Sequence, residues 1–197
     1  MGSSRLVASL YLGQMSKPDG QVSLRGLVFS DASAIARWAA DPEFCRAAGW
    51  STDLAPDEHL KFQRNVVLAP PPELLRLGVE FSGVLVGYLD LYGTEPGRRE
   101  LGFLIGERRL WGRGLGRRAA AAGLEHGFGH LGLHEIWAEA VETNVRSTAI
   151  LYDLGFSPGG TGAEEDSMGV PSVYRRFTLS AADWAAGGRG SSSPYDG

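Results

Sequence analysis

The sequence holds one cysteine, Cys45, and two lysines, Lys17 and Lys61. A single thiol cannot close a disulfide within the chain, which fits a reducing compartment. Cys45 follows Glu43 and Phe44 in a stretch with helical character and no neighbouring base, so it reads as structural rather than nucleophilic. With so few lysines, none completes the GxxxxGK[ST] loop of nucleoside triphosphate-binding proteins. No apolar run approaches the roughly 18 residues of a membrane-spanning helix. The N-terminus also lacks a basic segment followed by an apolar core. A cytoplasmic protein without a membrane partner is expected. The four histidines are His59, His126, His130 and His134. His126 and His130 share a helix face, but no glutamate of an HExxH pattern and no third ligand accompanies them, so no metal is expected.

Positive charge is scarce overall and concentrated in one place. The net charge of −4 disfavours general attraction to nucleic acid, and no such partner is expected. Residues 98–118 nevertheless hold seven arginines against Glu100 and Glu107, a local +5. Arginine massed in one short stretch suits a small anion, whereas a long polyanion demands a wider basic face.

A chain of 197 residues is long enough for one well-cored domain. VSLRGLVF (22–29) reads as a strand, and Ser30 or Asp31 caps a helix that ends at Asp41 before Pro42. Pro56, Asp57 and Glu58 make the first turn of a second helix over 56–67. LLRLGVEF and VLVGYLDLYG flank Ser82-Gly83 as a β-hairpin, and RELGFLIG (99–106) adds a third strand. A helix from Gly114 towards Gly129, a strand at 134–141, a helix ending at Gly155 and a strand at 172–179 follow. This order describes an α+β domain around a mixed sheet, over residues 22–183. Residues 1–21 form an extension with one further strand expected, and 184–197 a disordered tail.

The stretch RRLWGRGLGRR (108–118) follows a strand and opens a helix. Helix N-termini present unpartnered N–H groups and a positive dipole end. Gly112, Gly114 and Gly116 let a phosphate approach that backbone, and Arg113, Arg117 and Arg118 add charge-assisted contacts. A pyrophosphate is the ligand that fits. Two other readings stand beside it: a dinucleotide fingerprint, since GLGRRA matches GxGxxA, and a glycine-containing turn with a solvated arginine collar. The preceding antiparallel hairpin and the shortage of βα units argue against the dinucleotide fold.

Trp111-Gly112-Arg113-Gly114-Leu115-Gly116 resembles the [QR]xxGx[GA] pattern of the GNAT superfamily of acyl-CoA-dependent N-acyltransferases, with tryptophan at the first position. That tryptophan, with ELGFLIG before the loop and NVRSTAILYDLGF after it, is similar to the branch of ribosomal-protein alanine N-acetyltransferases. The resemblance covers about residues 22–180 and implies the GNAT fold: a mixed, mostly antiparallel sheet, splayed at the cofactor site and flanked by helices. It also implies acetyl-CoA as donor, coenzyme A as product, and no metal. By the same resemblance, the strand Phe103-Leu104-Ile105 pairs its backbone with the pantetheine arm, and the segment from Trp111 through Leu115 to Arg118 holds the pyrophosphate. Asn144 bonds the cofactor arm, and Tyr152 lies near the cofactor sulfur.

Attack of an amine on a thioester needs a neutral amine, a polarised carbonyl and a protonated leaving sulfur. Tyr152 is the first choice as acid, with Ser147 as rival or water-mediated helper. Glu100, on the strand beside the cofactor, is the candidate base. The alternative for Glu100 is a solvated residue or one paired with Arg98 or Arg99, and Asp90, Glu139 and Glu142 are weaker bases. The acceptor is expected to be a primary amine of a small molecule or peptide, in a monomer or homodimer. A protein N-terminus is the alternative acceptor, and a noncatalytic acyl-CoA-binding module the alternative class. The loop 157–171, with Glu164, Glu165 and Asp166, would attract a cationic amine, and Trp38, Phe44 and Trp50 would line an acceptor pocket or lie in the core.

Overall fold

Strand and helix signals alternate along this chain so that two helical layers must share one sheet. A computed structural model of the protein describes residues 20–167 and 170–187, with side chains described outside 163–172. The strand expected in the N-terminal extension falls, up to residue 19, outside the described residues, as does the tail beyond residue 187.

The first strand, β1 (Val22–Gly26), leads to α1 (Asp31–Trp38). Asp31 accepts the Val28 N–H at 2.8 Å and two bonds from Arg25 at 2.6 and 3.0 Å, tying the helix start to the strand. Pro42 does not simply stop helical structure as expected: it opens a separate short helix, α2 (Pro42–Ala48). The carboxylate of Asp41 caps it, accepting from the N–H groups of Glu43 and Phe44, and proline at the first position loses no internal bond. The next helix, α3 (Pro56–Leu68), starts where Glu58 folds back to accept the Ala55 N–H at 2.8 Å.

The meander comprises β2 (Leu74–Phe81), β3 (Val84–Tyr92) and β4 (Arg98–Ile105). Ser82 (φ 52°) and Gly83 (φ 76°) supply the two left-handed residues of a tight hairpin turn. A 3-10 turn at Arg108–Leu110 then leads into α4 (Leu115–Glu125), which continues as one wider π-helical turn over His126–His130. Its small residues allow close packing: a Cβ on Gly123 would stand 2.2 Å from Leu89 of β3.

The remaining elements are β5 (Glu135–Val141), α5 (Val145–Asp153), β6 (Ser157–Ser167), β7 (Val170–Ser180) and α6 (Ala181–Gly187). Two of these were not expected. The segment read as an acidic loop, 157–171, is largely β6, paired antiparallel to β7; its glycine-rich sequence hides a strand whose partner is distant in the alternation pattern. The domain boundary expected at 183 lies inside α6, where Ser180 caps the helix by accepting the Asp183 N–H at 3.1 Å.

The seven strands run in the order β1-β2-β3-β4-β5-β7-β6, antiparallel except where β4 meets β5. Successive side chains alternate between faces. On one face Leu89, Leu91, Leu101, Ile136 and Phe177 pack with Leu115, Leu124 and Leu151 of α4 and α5. On the other, Tyr88 and Leu104 pack with Ile35, Trp38 and Phe44 of α1 and α2.

Candidate active site

The pairing of β4 with β5 lasts three residues: Arg98 with Glu135, Arg99 with Ile136 and Glu100 with Trp137. Beyond that rung the strands part. Residues Leu101 to Ile105 remain paired to β3, and Ala138 to Val141 remain paired to β7. The sheet therefore opens as a wedge whose root is closed by the Arg98–Glu135 ion pair and whose β4 wall carries the backbone of Phe103, Leu104 and Ile105. Backbone amides along such an edge can pair with an extended ligand that has amides of its own, as an added strand would.

The mouth of the wedge is the glycine loop. The Trp111 indole N–H donates to the Ile105 carbonyl at 2.8 Å, folding the loop onto the end of β4. Leu110 and Leu115 are buried on either side as anchors. Gly112 (φ 72°) and Gly114 (φ 76°) are left-handed, and a Cβ at either would meet nothing within 4 Å. Gly114 also begins α4 with no side chain capping its N–H groups. An uncapped helix start with open backbone before it fits a phosphate ligand.

The other residues of this loop divide. Gly116 lies inside α4, and its Cβ would come 3.3 Å from Ile150 of α5, so this glycine sets the approach of the two helices. Arg113 is exposed and makes no ion pair among the described residues. Arg117 pairs with Asp153 at the end of α5. Arg118 has contacts that the sequence did not suggest: it donates to the Gly20 carbonyl and lies over the Phe81 ring at 5.7 Å. The reason is geometric, since a residue one position after Arg117 points some 100° around the helix. Arg146, which sequence reasoning missed, takes a place nearby, its guanidinium 5.8 Å from the Trp111 ring.

Glu100 sits at the root of the wedge and is half-buried. Burial pushes its carboxyl above the usual range; the charge of Glu139 adds to this, and Arg176 opposes it. The arginines next to it in sequence are committed elsewhere: Arg98 pairs with Glu95 and Glu135, and Arg99 donates to the carbonyls of Glu95 and Arg98. The other carboxylates considered as bases each hold an arginine. Asp90 takes two bonds from Arg76 at 2.7 Å, Glu139 pairs with Arg176 at 2.7 Å and Glu142 with Arg175 at 2.5 Å. Among the described residues, Glu100 is in no ion pair.

On α5, Asn144 is the N-cap, its Oδ1 accepting the Ser147 N–H at 3.1 Å. Its amide NH2 keeps its donor capacity. Ser147 is half-buried in the first turn, and Tyr152 is 53% exposed, standing edge-on to Phe177 at 5.4 Å. Phe44, Trp38 and Cys45 are buried, and burial pushes the Cys45 thiol up, away from reactivity. The first two therefore belong to the core, while Trp50 is half-buried between Phe44 and His59. His126 and His130 stack at 5.1 Å, and no cluster of three or more metal-ligating side chains occurs among the described residues. No helix among them is long and apolar enough to cross a membrane.

The acetyltransferase (GNAT) domain family matches residues 21–157, and the chain belongs to that family. It is an acyltransferase with the GNAT fold. The fold is similar to spermidine N-acetyltransferase from Vibrio cholerae, solved in complex with CoA and spermine, at a TM-score of 0.72 and 20% identity, covering 84% of this chain and 98% of that one. It is also similar to aminoglycoside acetyltransferase AAC(6')-Ib, solved with coenzyme A, at a TM-score of 0.71 and 18% identity over 84% and 98% of the two chains. A GNAT acetyltransferase from Bacillus anthracis aligns at 0.69 and 17% identity, over 82% and 96%. An uncharacterised protein of Methanocaldococcus jannaschii is 31% identical over 81 residues; that match spans 41% of this chain and 16% of the relative's length.

Proposed function

We propose that this enzyme transfers an acetyl group from acetyl-CoA directly to a primary amine of a small cationic molecule or peptide, with Glu100 as base. The observation that carries this reading is the carboxylate of Glu100 at the root of the β4–β5 wedge, half-buried and held by no guanidinium. A base of that kind retains a proton affinity that a paired carboxylate loses. Spermidine and aminoglycoside acetyltransferases share the fold, which supports a cationic acceptor without naming it.

Acetyl-CoA supplies an activated thioester. For it, the free edge of Phe103 to Ile105 offers backbone groups to the pantetheine arm, and an N–H there polarises the acyl carbonyl. The amides at Gly112 and Gly114, with Arg113 and Arg117, hold the pyrophosphate, and the Asn144 amide NH2 donates to the arm. Glu100 takes the proton of the incoming ammonium, directly or through water. The Tyr152 hydroxyl, exposed on α5, returns a proton to the leaving sulfur, with Ser147 as the second donor on that helix. No covalent bond to the protein is required, in keeping with the buried Cys45.

Thiol release from acetyl-CoA, measured over a panel of spermidine, kanamycin and a peptide beginning with alanine, tests this. Turnover with at least one cationic amine is expected. Tight coenzyme A binding with no turnover on any amine would overturn the proposal.

A further inference from the structure

Most glycines among the described residues have an identifiable cause or, like Gly26 and Gly129, stand in open space at the surface. At Gly87, Gly97, Gly106 and Gly123 a Cβ would fall within 2.0 to 2.2 Å of a neighbouring atom, so packing requires glycine. Gly112 and Gly114 are left-handed. Gly102 is neither. It lies in the interior of β4, half-buried and outside the left-handed region, and the nearest atom to its Cβ position is the Asp90 Cβ at 3.6 Å, an ordinary contact. Alanine would therefore fit, and would favour the strand. A sheltered strand glycine that neither backbone nor packing demands marks a close approach by something other than the protein's own atoms.

The face on which this gap opens is defined by register. Gly102 is opposite Asp90, Leu104 is opposite Tyr88 and Glu100 is opposite Tyr92. These residues share the face covered by α1 and α2, where Leu104 and Tyr88 pack against Trp38 and Phe44. The α4 and α5 side, with the glycine loop, lies across the sheet. Gly102 thus offers bare backbone on this face between Asp90, which is opposite it and paired with Arg76, and Glu100, two residues along the strand and in no ion pair among the described residues. An ammonium is the group that a single uncompensated carboxylate beside bare backbone recognises.

We infer that Gly102 is the floor for the reacting end of the acceptor and limits it to an amine on an unbranched carbon, an aminomethyl group. This rests on the proposal that a cationic amine is the acceptor. The space left by the missing Cβ ends 3.6 Å away at the Asp90 Cβ, so a branch beside the amine competes with the protein for it.

The Gly102→Ala variant tests this with spermidine, whose amines are on unbranched carbons, and with a peptide beginning with alanine, whose amine carbon carries a methyl. The wild type is expected to prefer spermidine. The variant is expected to keep its melting temperature and coenzyme A affinity while kcat/KM for spermidine falls about tenfold, mainly through KM, as one added methyl in a fitted pocket does. An unchanged kcat/KM, or a wild type that prefers the alanine peptide, would overturn the inference and leave the acetyltransferase reading standing. Loss of folding or of coenzyme A affinity in the variant would overturn it too, because glycine would then be needed by the scaffold or the donor site. A wild type inactive on every amine would instead remove the acceptor proposal on which it rests.

Discussion

Glu100 of β4 and Trp137 of β5 form the last rung of the parallel pairing, and the sheet divides immediately beyond them. The carboxylate at that division is the one most exposed to both strands' consequences: half-buried by the sheet, and near enough to Glu139 to feel its charge.

Replacing Glu100 with glutamine should lower kcat about a hundredfold, within the usual range for loss of a general base, with coenzyme A affinity unchanged. Because the carboxyl is raised above its ordinary range, the acid limb of kcat/KM in the wild type should lie above the usual glutamate value, with rate lost as pH falls through it. Stability should move the opposite way at this residue. A glutamate pKa raised by folding makes the folded state less stable as pH rises from the unfolded value through the folded one. E100Q should then be no less stable than wild type near neutrality, as a pair of urea titrations would show.

Tyr152→Phe removes only a hydroxyl from an exposed ring packed edge-on against Phe177. The ring contact survives, so the melting temperature should hold while turnover falls. An unchanged kcat in Y152F, together with a fall in Ser147→Ala, would transfer the acid role to Ser147.

Arg113 and Arg118 should separate in calorimetry. Arg113 is exposed on the loop, whereas Arg118 is engaged with Gly20 and Phe81. R113A should weaken coenzyme A binding about tenfold, the scale of one charge-assisted contact, and R118A should leave it nearly intact.

Gly114→Val places a β-branched residue at φ 76°, which costs roughly 1–2 kcal/mol, and fills the open space before α4. Both effects weaken coenzyme A binding. Gly116→Ala should act differently, through its 3.3 Å approach to Ile150, and register mainly as a lower melting temperature.

Arg76 and Asp90 form a bidentate pair with the guanidinium 3.8 Å from the Tyr88 ring centre. Their side chains are 11% and 19% exposed, so removing one partner strands a sheltered charge. Arg76→Met should destabilise the protein by about 3–5 kcal/mol, read from chemical denaturation.

Much of the fold was legible because its signals are local. Ser82-Gly83 between two alternating runs announces a hairpin, and Pro56 with two acids announces a helix start. The errors came where one signal has two meanings. Pro42 ends α1, yet it also starts α2, because Asp41 supplies a cap that proline at the next position tolerates. The 157–171 segment looked like a loop since glycine and charge obscure its alternation, and only pairing with β7 makes it a strand.

The sequence by itself announced most of the elements and a glycine-rich helix start suited to an anion, because glycines before a helix start and the arginines around them act over a few neighbouring residues. It did not determine where β4 leaves β5, nor that Glu100, unlike Asp90, Glu139 and Glu142, would lack a guanidinium. Arg76, Arg98 and Arg176 meet Asp90, Glu135 and Glu139 from 14 and 37 residues away in the chain. Those partnerships depend on strand register across the sheet, and tertiary packing alone decided that Glu100 was left over.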